Sequence, residues 1–289
     1  MKSRTLLISL AAVYVIWGST YLAMQIAIGG LPPLAMACVR FIAAGGILLA
    51  VARHRGAQIP PLRDWLRVAP VGALLFLGGN GFVALAEQSV SSGGVAVVCA
   101  TMPLWVGVLG AAIGVRPTGR EWFALLLGFV GVVVLMGGPS LTGQHAHIAF
   151  AIGSPILWAT GSLLSRRTKD VGGAHAALVG PAVQMLTGAG ALAIAAMLHG
   201  EHLPAHVPIS SLLAVAYLIV FGSIVGFTAY AWLLRNARPV VATSYAYVNP
   251  VLAVLIGAAL HGEQLGWSTL AANVLIISAI GLALTRRVR

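Results

Sequence analysis

The chain has 289 residues, of which 59% are hydrophobic and 8% charged, with a mean hydropathy of +0.96 and a formal net charge of +11. A soluble domain cannot hide so much apolar surface, so this composition excludes a soluble enzyme, a disordered chain and a disulfide scaffold. The two cysteines, Cys38 and Cys99, both lie in apolar runs and imply no disulfide framework.

The apolar runs predict an all-α polytopic membrane protein with ten transmembrane helices. A span needs roughly 20 apolar residues, and glycine and proline clusters divide the longest runs. The predicted spans are 6–28, 34–52, 68–87, 92–114, 121–137, 148–166, 174–198, 211–234, 240–260 and 267–285. The first helix carries no cleavage site behind a short apolar core, so we expect it to be retained.

The basic residues predict the orientation of these helices, because Lys and Arg accumulate in cytoplasmic loops. Of the 17 basic residues, 16 fall at the termini or in alternate loops, and the intervening loops have none. Those in the loops are Arg53, Arg55, Arg63 and Arg67, then Arg116 and Arg120, then Arg166, Arg167 and Lys169, then Arg235 and Arg238. Both termini are therefore predicted to be cytoplasmic, with Gly143 and Pro204 outside. The basic surplus is explained by topology and needs no nucleic-acid partner.

The chain also contains an internal repeat. Residues 95–115 align without gaps on residues 242–262, which places Pro103 on Pro250, and Trp17 matches Trp158. The two halves, 1–143 and 144–289, then hold five helices each. Because five is odd, the second half is predicted to be inverted relative to the first, as in many secondary transporters.

Pro103 and Pro250 lie near the middle of their helices. Each lacks an N–H and is expected to free one backbone carbonyl, that of Cys99 or Ala246. Such carbonyls are tolerated at that depth only in protein or beside a cavity. We expect the two prolines to act as gating kinks, and the alternative is a simple packing kink.

Several aromatic and amide side chains are predicted to lie at the same depth and to bind the substrate. Tryptophan usually lies at the membrane interface, but Trp17 and Trp158 lie deep in their helices. The residues expected to contact substrate are Trp17, Tyr21, Asn80, Trp158, Tyr245 and Asn249. The alternatives are core packing for the aromatic rings and interhelical hydrogen bonds for the amides.

Arg40 is the one charge that falls inside a predicted span. It lies near the outer end of its helix, so snorkelling or structural pairing is favoured over a possible substrate contact. No Asp or Glu is expected near a midplane, since Glu87 lies at an outer helix end, and this favours facilitated, gradient-driven movement. No catalytic, metal-binding or cofactor-binding pattern is found.

Three segments carry a family resemblance: VIWGSTYLAMQIAIGGLPPLAMACVRFIAAGGILL at 15–49, GGNGFVALAEQSVSSGGVAVVCATMPL at 78–104 and ATSYAYVNPVLAVLIGAALHGEQL at 242–265. The chain resembles the EamA-type exporters of the drug/metabolite transporter superfamily over nearly its whole length. The resemblance implies a ten-helix fold of two inverted repeats. It also implies export of amino acids or other metabolites, including some toxic cations, across the bacterial cytoplasmic membrane.

These observations together predict an alternating-access exporter of small metabolites, without enzymatic activity, embedded in the lipid bilayer. With no charged side chain expected at the midplane, neutral or zwitterionic amino acids with apolar or aromatic side chains, or soft organic cations, fit better than sugar phosphates. The alternative is a passive channel or a structural membrane protein. The oligomeric state stays open.

Overall fold

The computed structural model describes residues 2–135, 143–252 and 267–284, and within these ranges the long regular elements are helices. The first half contains α1 (Lys2–Ile28), α2 (Pro33–His54), α3 (Leu62–Ala86), α4 (Ser92–Cys99 and Met102–Ala112) and α5 (Gly119–Leu135). The second half contains α6 (His145–Arg167), α7 (Ala176–Leu198), α8 (Ile209–Asn236), α9 (Pro239–Thr243, then 245–252) and α10 (Trp267–Leu284).

Among the described residues, seven helices are long and apolar enough to cross a membrane, namely α1, α2, α3, α4, α6, α7 and α8. The all-helical membrane architecture is thereby confirmed. The predicted span 240–260 extends past the described residues, as do the ends of the predicted spans 121–137 and 267–285. The number of ten crossings therefore stays a prediction.

Two of the long helices contain a π-helical stretch that the sequence analysis did not predict. It covers Ala73–Gly81 in α3 and Leu218–Val225 in α8. A π-helix bonds each N–H one residue further back than an α-helix does, and such stretches leave carbonyls available to other donors. The carbonyl of Gly79 accepts a hydrogen bond from Ser154 Oγ at 3.0 Å. Each stretch contributes residues to the wall of the candidate site inside the bundle, namely Phe76, Gly79 and Asn80 from α3 and Gly222 from α8.

The proline helices are interrupted in different ways. Helix α4 stops at Cys99 and restarts at Met102, so Pro103 occupies the first turn of a new segment. A proline fits there because the first N–H groups of a helix have no intrahelical acceptor. Helix α9 has its turn at Ser244, six residues before Pro250. Thus Pro103 follows a break in the helix instead of kinking a continuous one.

The helices pair in a symmetric way. Helix α2 packs along α7, and α5 packs along α10, both over extensive contacts. Each pair joins helices that the internal repeat makes equivalent. The two π-helical stretches also lie in equivalent helices, α3 and α8. Two halves related by a two-fold axis would pair in this way, and the inverted repeat itself stays a prediction.

At one end of the bundle, loops that carry basic residues bond to one another. Arg166 Nη1 donates to the carbonyl of Ala237 at 2.6 Å, which ties the end of α6 to the α8–α9 loop. Arg238 Nη2 lies 2.8 Å from Glu121 Oε2, which ties the same loop to the start of α5. The basic loops therefore gather at a single end, as the charge pattern requires.

At the opposite end, loops without basic residues meet. The backbone N–H of Gln144 donates to Ser89 Oγ at 3.1 Å. The backbone N–H groups of Leu34 and Ala35, at the start of α2, donate to the Glu201 carboxylate at 3.2 and 2.7 Å. The two kinds of loop thus lie at opposite ends of the molecule.

Candidate functional site

A cavity of about 90 Å³ lies inside the bundle, between α1, α2, α3, α4, α6, α8 and α9. That volume accommodates several water molecules. The six residues predicted to contact substrate all line it, and so does Arg40: Trp17, Tyr21, Arg40, Asn80, Trp158, Tyr245 and Asn249. The structure therefore brings together side chains from both halves of the chain that are up to 232 positions apart in sequence, Trp17 and Asn249.

The floor of the cavity is an aromatic cluster centred on Trp17. The Trp17 ring meets Tyr245 at 4.7 Å and 81°, and Trp158 at 5.6 Å and 83°, measured between ring centroids and planes. Both are edge-to-face contacts, the arrangement that the ring quadrupoles favour. The indole N–H of Trp17 donates to the carbonyl of Gly222 at 3.0 Å, in the π-helical stretch of α8. Trp17 is thus held by rings on two helices and by the backbone of a third.

Tyr230 completes this cluster, and the sequence analysis did not identify it. Its ring centroid lies 5.0 Å from that of Trp17, and its hydroxyl accepts a hydrogen bond from Trp158 Nε1 at 3.2 Å. The same hydroxyl lies 2.7 Å from Ser162 Oγ. Tyr230 is fully buried. It follows Phe227, which lines the cavity, by three positions and so shares its helical face.

The cavity lies on one side of the aromatic cluster. On α1 its walls are Trp17 and residues that follow it, such as Met24, whereas Leu10 and Val13 before it are buried in packed core. One turn before Trp17, the Tyr14 hydroxyl bonds to Ser244 Oγ at 2.6 Å and joins α1 to α9. The molecule is therefore closed between the cavity and the end that carries the basic loops.

Arg40 does not snorkel; of the two roles grouped in the favoured prediction, the structure shows the pairing of its side chain inside the bundle. Its side chain is 4% exposed, and its Nε donates to Ser223 Oγ at 2.7 Å. Its Nη1 lies 3.4 Å from Asn80 Oδ1, and its guanidinium carbon lies 4.7 Å above the Phe41 ring. These partners on α3 and α8 hold the guanidinium inward, at the cavity wall.

The charge of Arg40 also corrects the expectation that the site holds no charged side chain. The ion pairs of the described residues join Asp64, Asp170, Glu121 and Glu201 to other bases, and none includes Arg40. A buried cation without a counter-ion is costly. The cavity wall thus carries one positive charge that hydrogen bonds and an aromatic face stabilise only in part.

The amide side chains occupy the walls on either side. Asn80 accepts from Arg40 and donates to the carbonyl of Leu75 at 3.5 Å. Asn249 is 3% exposed, and its Oδ1 has no hydrogen-bond partner among the described residues. Tyr21 lines the same cavity as Asn249. The site therefore has a cationic end at Arg40 and an acceptor-rich end at Tyr21 and Asn249.

Other lining residues were not predicted, and most are apolar or small: Thr20, Met24, Phe41, Phe76, Gly79, Val83, Cys99, Met102, Ser154, Pro155, Gly222, Phe227 and Ala246. On α3 the lining positions are Phe76, Asn80 and Val83, which share one helical face. Asn80 was found because an amide in an apolar helix stands out. Its apolar neighbours gave no comparable signal, because the whole helix is apolar.

Gly79 and Gly226 let the two tryptophans approach the π-helical regions, and this yields a prediction. A Cβ at position 79 would collide with the Trp158 ring, and one at position 226 with the Trp17 indole nitrogen. We expect Gly79→Ala and Gly226→Ala each to lower stability by about 1–3 kcal/mol, the usual cost of overpacking. Transport by either variant should also be slowed, measured per folded molecule.

Gly46→Ala is the matched control for these glycine variants. Gly46 also lies within a helix, but a Cβ there meets nothing within 4 Å. Equal thermal stability and equal transport for the Gly79, Gly226 and Gly46 variants would contradict the proposed close approach.

Comparisons with known proteins place this arrangement in a family. The EamA-like transporter family matches residues 4–137 and again residues 145–285. The chain is 45% identical to the uncharacterized inner membrane transporter YedA of Escherichia coli K12, over 278 residues that cover 94% of this chain and 88% of YedA. It is 27% identical to the protein PecM of Dickeya dadantii, covering 92% and 87% of the two chains. A crystal structure of a protein with 22% sequence identity has the same fold, with a TM-score of 0.76 over 98% of both chains. The chain is a multi-pass membrane protein that belongs to the EamA-like transporter family of the drug/metabolite transporters.

Proposed function

We propose that this protein is a secondary transporter that exports amino acids with apolar or aromatic side chains across the bacterial cytoplasmic membrane by alternating access. The observation that carries the proposal is Arg40, a buried guanidinium in the wall of an aromatic cavity, which has no carboxylate partner among the described residues. Family membership supports transport in general. The lining of the cavity supports the substrate class.

A substrate carboxylate would supply the counter-ion that Arg40 lacks among the described residues. A guanidinium binds a carboxylate through two parallel N–H donors, and such charge-assisted bonds are about twice as strong as neutral ones. Arg40 uses its Nε on Ser223 and has a long contact from Nη1 to Asn80. Its outer nitrogens therefore keep donor capacity for an incoming anion.

The rest of the zwitterion fits the remaining walls. The rings of Trp17, Trp158 and Tyr245 form an apolar surface for the side chain of the amino acid. Asn249 Oδ1, which has no partner among the described residues, is an acceptor for the ammonium group. An organic cation is less suitable, because it would meet the positive charge of Arg40 without compensating it. The zwitterion is therefore the substrate that we propose.

Alternating access would follow from movement of the two halves against each other. The structure is closed on the side of the basic loops by the aromatic cluster and by the bond between Tyr14 and Ser244. Opening that side requires α1 and α9 to separate. The interruptions near Pro103 and at Ser244 are the places where α4 and α9 can bend. In this proposal the basic end faces the cytoplasm.

The orientation gives a direct prediction. A cysteine placed at Pro204 should react with a membrane-impermeant maleimide in intact cells, and one placed at Gly119 should react only after the membrane is permeabilised. Pro204 lies in an exposed loop at the end without basic residues, and Gly119 is exposed between Arg116 and Arg120. The parent protein serves as the blank, since Cys38 and Cys99 are buried. The reverse labelling pattern would overturn the topology.

The function itself is tested in liposomes that contain the purified protein. We expect labelled L-phenylalanine and L-leucine to enter with saturable rates and to be chased by unlabelled substrate trapped inside. Phenylalanine amide and phenethylamine, which lack the carboxylate, should compete far more weakly. Compared with phenylalanine, each of these two compounds keeps the ring and the amine and lacks the negative charge that Arg40 is proposed to bind.

The same assay distinguishes the alternative function. Flux that rises linearly with concentration, with no acceleration by trapped substrate, would identify a passive channel. Absence of any flux in a correctly inserted protein would favour a structural role. Equal competition by the amine and the amino acid would reject the carboxylate contact.

A further inference from the structure

Glu87 is a buried carboxylate outside the proposed substrate site. It immediately follows α3, as the sequence indicated, but it is only 7% exposed. Neither of its carboxylate oxygens has a hydrogen-bond partner among the described residues. A charged carboxylate in such a place is strongly disfavoured, whereas the neutral acid is tolerated. The surroundings of Glu87 therefore favour its protonated form.

Its position connects it to the cavity. Glu87 lies four residues after Val83 and seven after Asn80, so it continues the α3 face that lines the cavity by one further turn. Its carboxylate interacts electrostatically with the side chains of Tyr21 and Cys99, which also line the cavity. Glu87 thus lies directly behind the Tyr21 end of the site.

We propose that Glu87 is a proton-binding site that couples amino-acid export to proton entry, an inference that rests on the proposed function. The proton and the ammonium group of the substrate would compete electrostatically. A proton on Glu87 removes its negative charge and weakens ammonium binding near Tyr21 and Asn249. An ammonium bound there favours the carboxylate form, and one proton leaves the protein. Proton and substrate then cross in opposite directions.

The surroundings of Glu87 contain few groups that could perform this role instead. Tyr21 on α1 and Cys99 on α4 are the titratable side chains with which it interacts. Helix α6 packs against the end of α3 and carries His147, whose Nδ1 lies 2.7 Å from Ser89 Oγ. This histidine lies toward the loop, so its ionisation is the competing source of any pH dependence.

Helix α2 also packs against this part of α3 and contributes Arg40. Arg40 is hydrogen-bonded to Ser223 and belongs to the opposite end of the site. The two ends then carry opposite charges once Glu87 releases its proton, which matches the two charges of a zwitterion. The expectation of uncoupled, facilitated movement rested on the lack of a carboxylate near the midplane. Glu87 lies at the end of α3, as expected, but it is buried, and it offers a proton-binding group that this expectation did not consider.

The protonation state is measured first, without any substrate. In infrared titration of the purified protein between about pH 5 and 9, we expect a carboxylic-acid carbonyl band that disappears on deprotonation. Glu87→Gln should lack this band, and His147→Gln and Asp64→Asn should keep it. If the band is absent from the parent protein, or persists in Glu87→Gln, the proposal is overturned.

The coupling is then measured in liposomes. An imposed proton gradient, acidic on the side opposite to the substrate, should accelerate phenylalanine movement by the parent protein and by Asp64→Asn. Glu87→Gln should lose this acceleration while exchange at equal pH continues at an altered rate. A parent protein that exchanges phenylalanine but ignores the gradient would overturn the role of Glu87 and leave the proposed function standing. Failure of exchange in the parent would reject the proposed function instead.

Discussion

Replacing Arg40 with glutamine should weaken the apparent affinity for L-phenylalanine by about 30-fold or more. Removing one partner of a buried charge pair costs about 2–5 kcal/mol, and each 1.4 kcal/mol is roughly a tenfold change in affinity. The guanidinium is buried at the cavity wall and has no carboxylate partner among the described residues, so the bound substrate would lose its only counter-charge there. The half-saturation concentration of liposome uptake measures this loss.

Two further variants separate recognition from folding. Arg53→Gln is the matched control, because Arg53 lies on the same helix but is exposed. Arg40→Lys keeps the charge and should retain more affinity than Arg40→Gln, although it loses the bond from Nε to Ser223. Unchanged half-saturation in a folded Arg40→Gln protein would show that the substrate does not use this charge. Thermal unfolding of each variant checks that the comparison is made between folded proteins.

The positions of the tryptophans were predictable because tryptophan is rare and its ordinary place in a membrane protein is the interface. Trp17 and Trp158 depart from that rule in equivalent positions of the two halves. The structure places both rings in one cluster, 5.6 Å apart. A rare residue at an unusual depth is therefore informative even without homologous sequences.

The sequence did not reveal that the Arg40 side chain points into the bundle, and the physical reason is the composition of α2. The buried face of this helix includes Met36, Ala37, Phe41 and Ala44, but the exposed face carries Val39 and Ile42, which are equally apolar. In a helix that is apolar on all sides, periodicity does not reveal which side faces the protein. Snorkelling and structural pairing were both expected for an arginine near a helix end, and the hydrogen bond to Ser223 shows that the side chain is paired inside the bundle.

The π-helical stretches were missed for a different reason. They depend on a change in backbone hydrogen bonding, and the sequence shows only mid-helix glycines such as Gly79 and Gly222. A glycine in the sequence does not reveal which residue packs against it. The structure supplies the partners, which are Ser154 for the carbonyl of Gly79 and Trp17 for that of Gly222. Long-range contacts of this kind arise only when both halves of the chain are packed together.

Removing either central tryptophan should weaken apparent substrate affinity several-fold. An aromatic pair contributes about 0.5–1.5 kcal/mol beyond its buried area, and Trp17 meets Trp158, Tyr230 and Tyr245. Trp17→Ala also leaves a void and is expected to cost about 3–5 kcal/mol of stability. Trp17→Phe keeps a ring but loses the N–H that donates to Gly222. It should therefore lose less affinity than Trp17→Ala.

Trp122→Ala is the control that makes this result interpretable. Trp122 lies in the first turns of α5, is half-buried, and packs near Gly107 away from the cavity. Its removal should lower stability but leave the half-saturation concentration for phenylalanine nearly unchanged at equal amounts of folded protein. If Trp122→Ala weakened affinity as much as Trp17→Ala and Trp158→Ala, the loss would reflect general damage to the bundle. The aromatic cavity would then not be the site at which substrate binds.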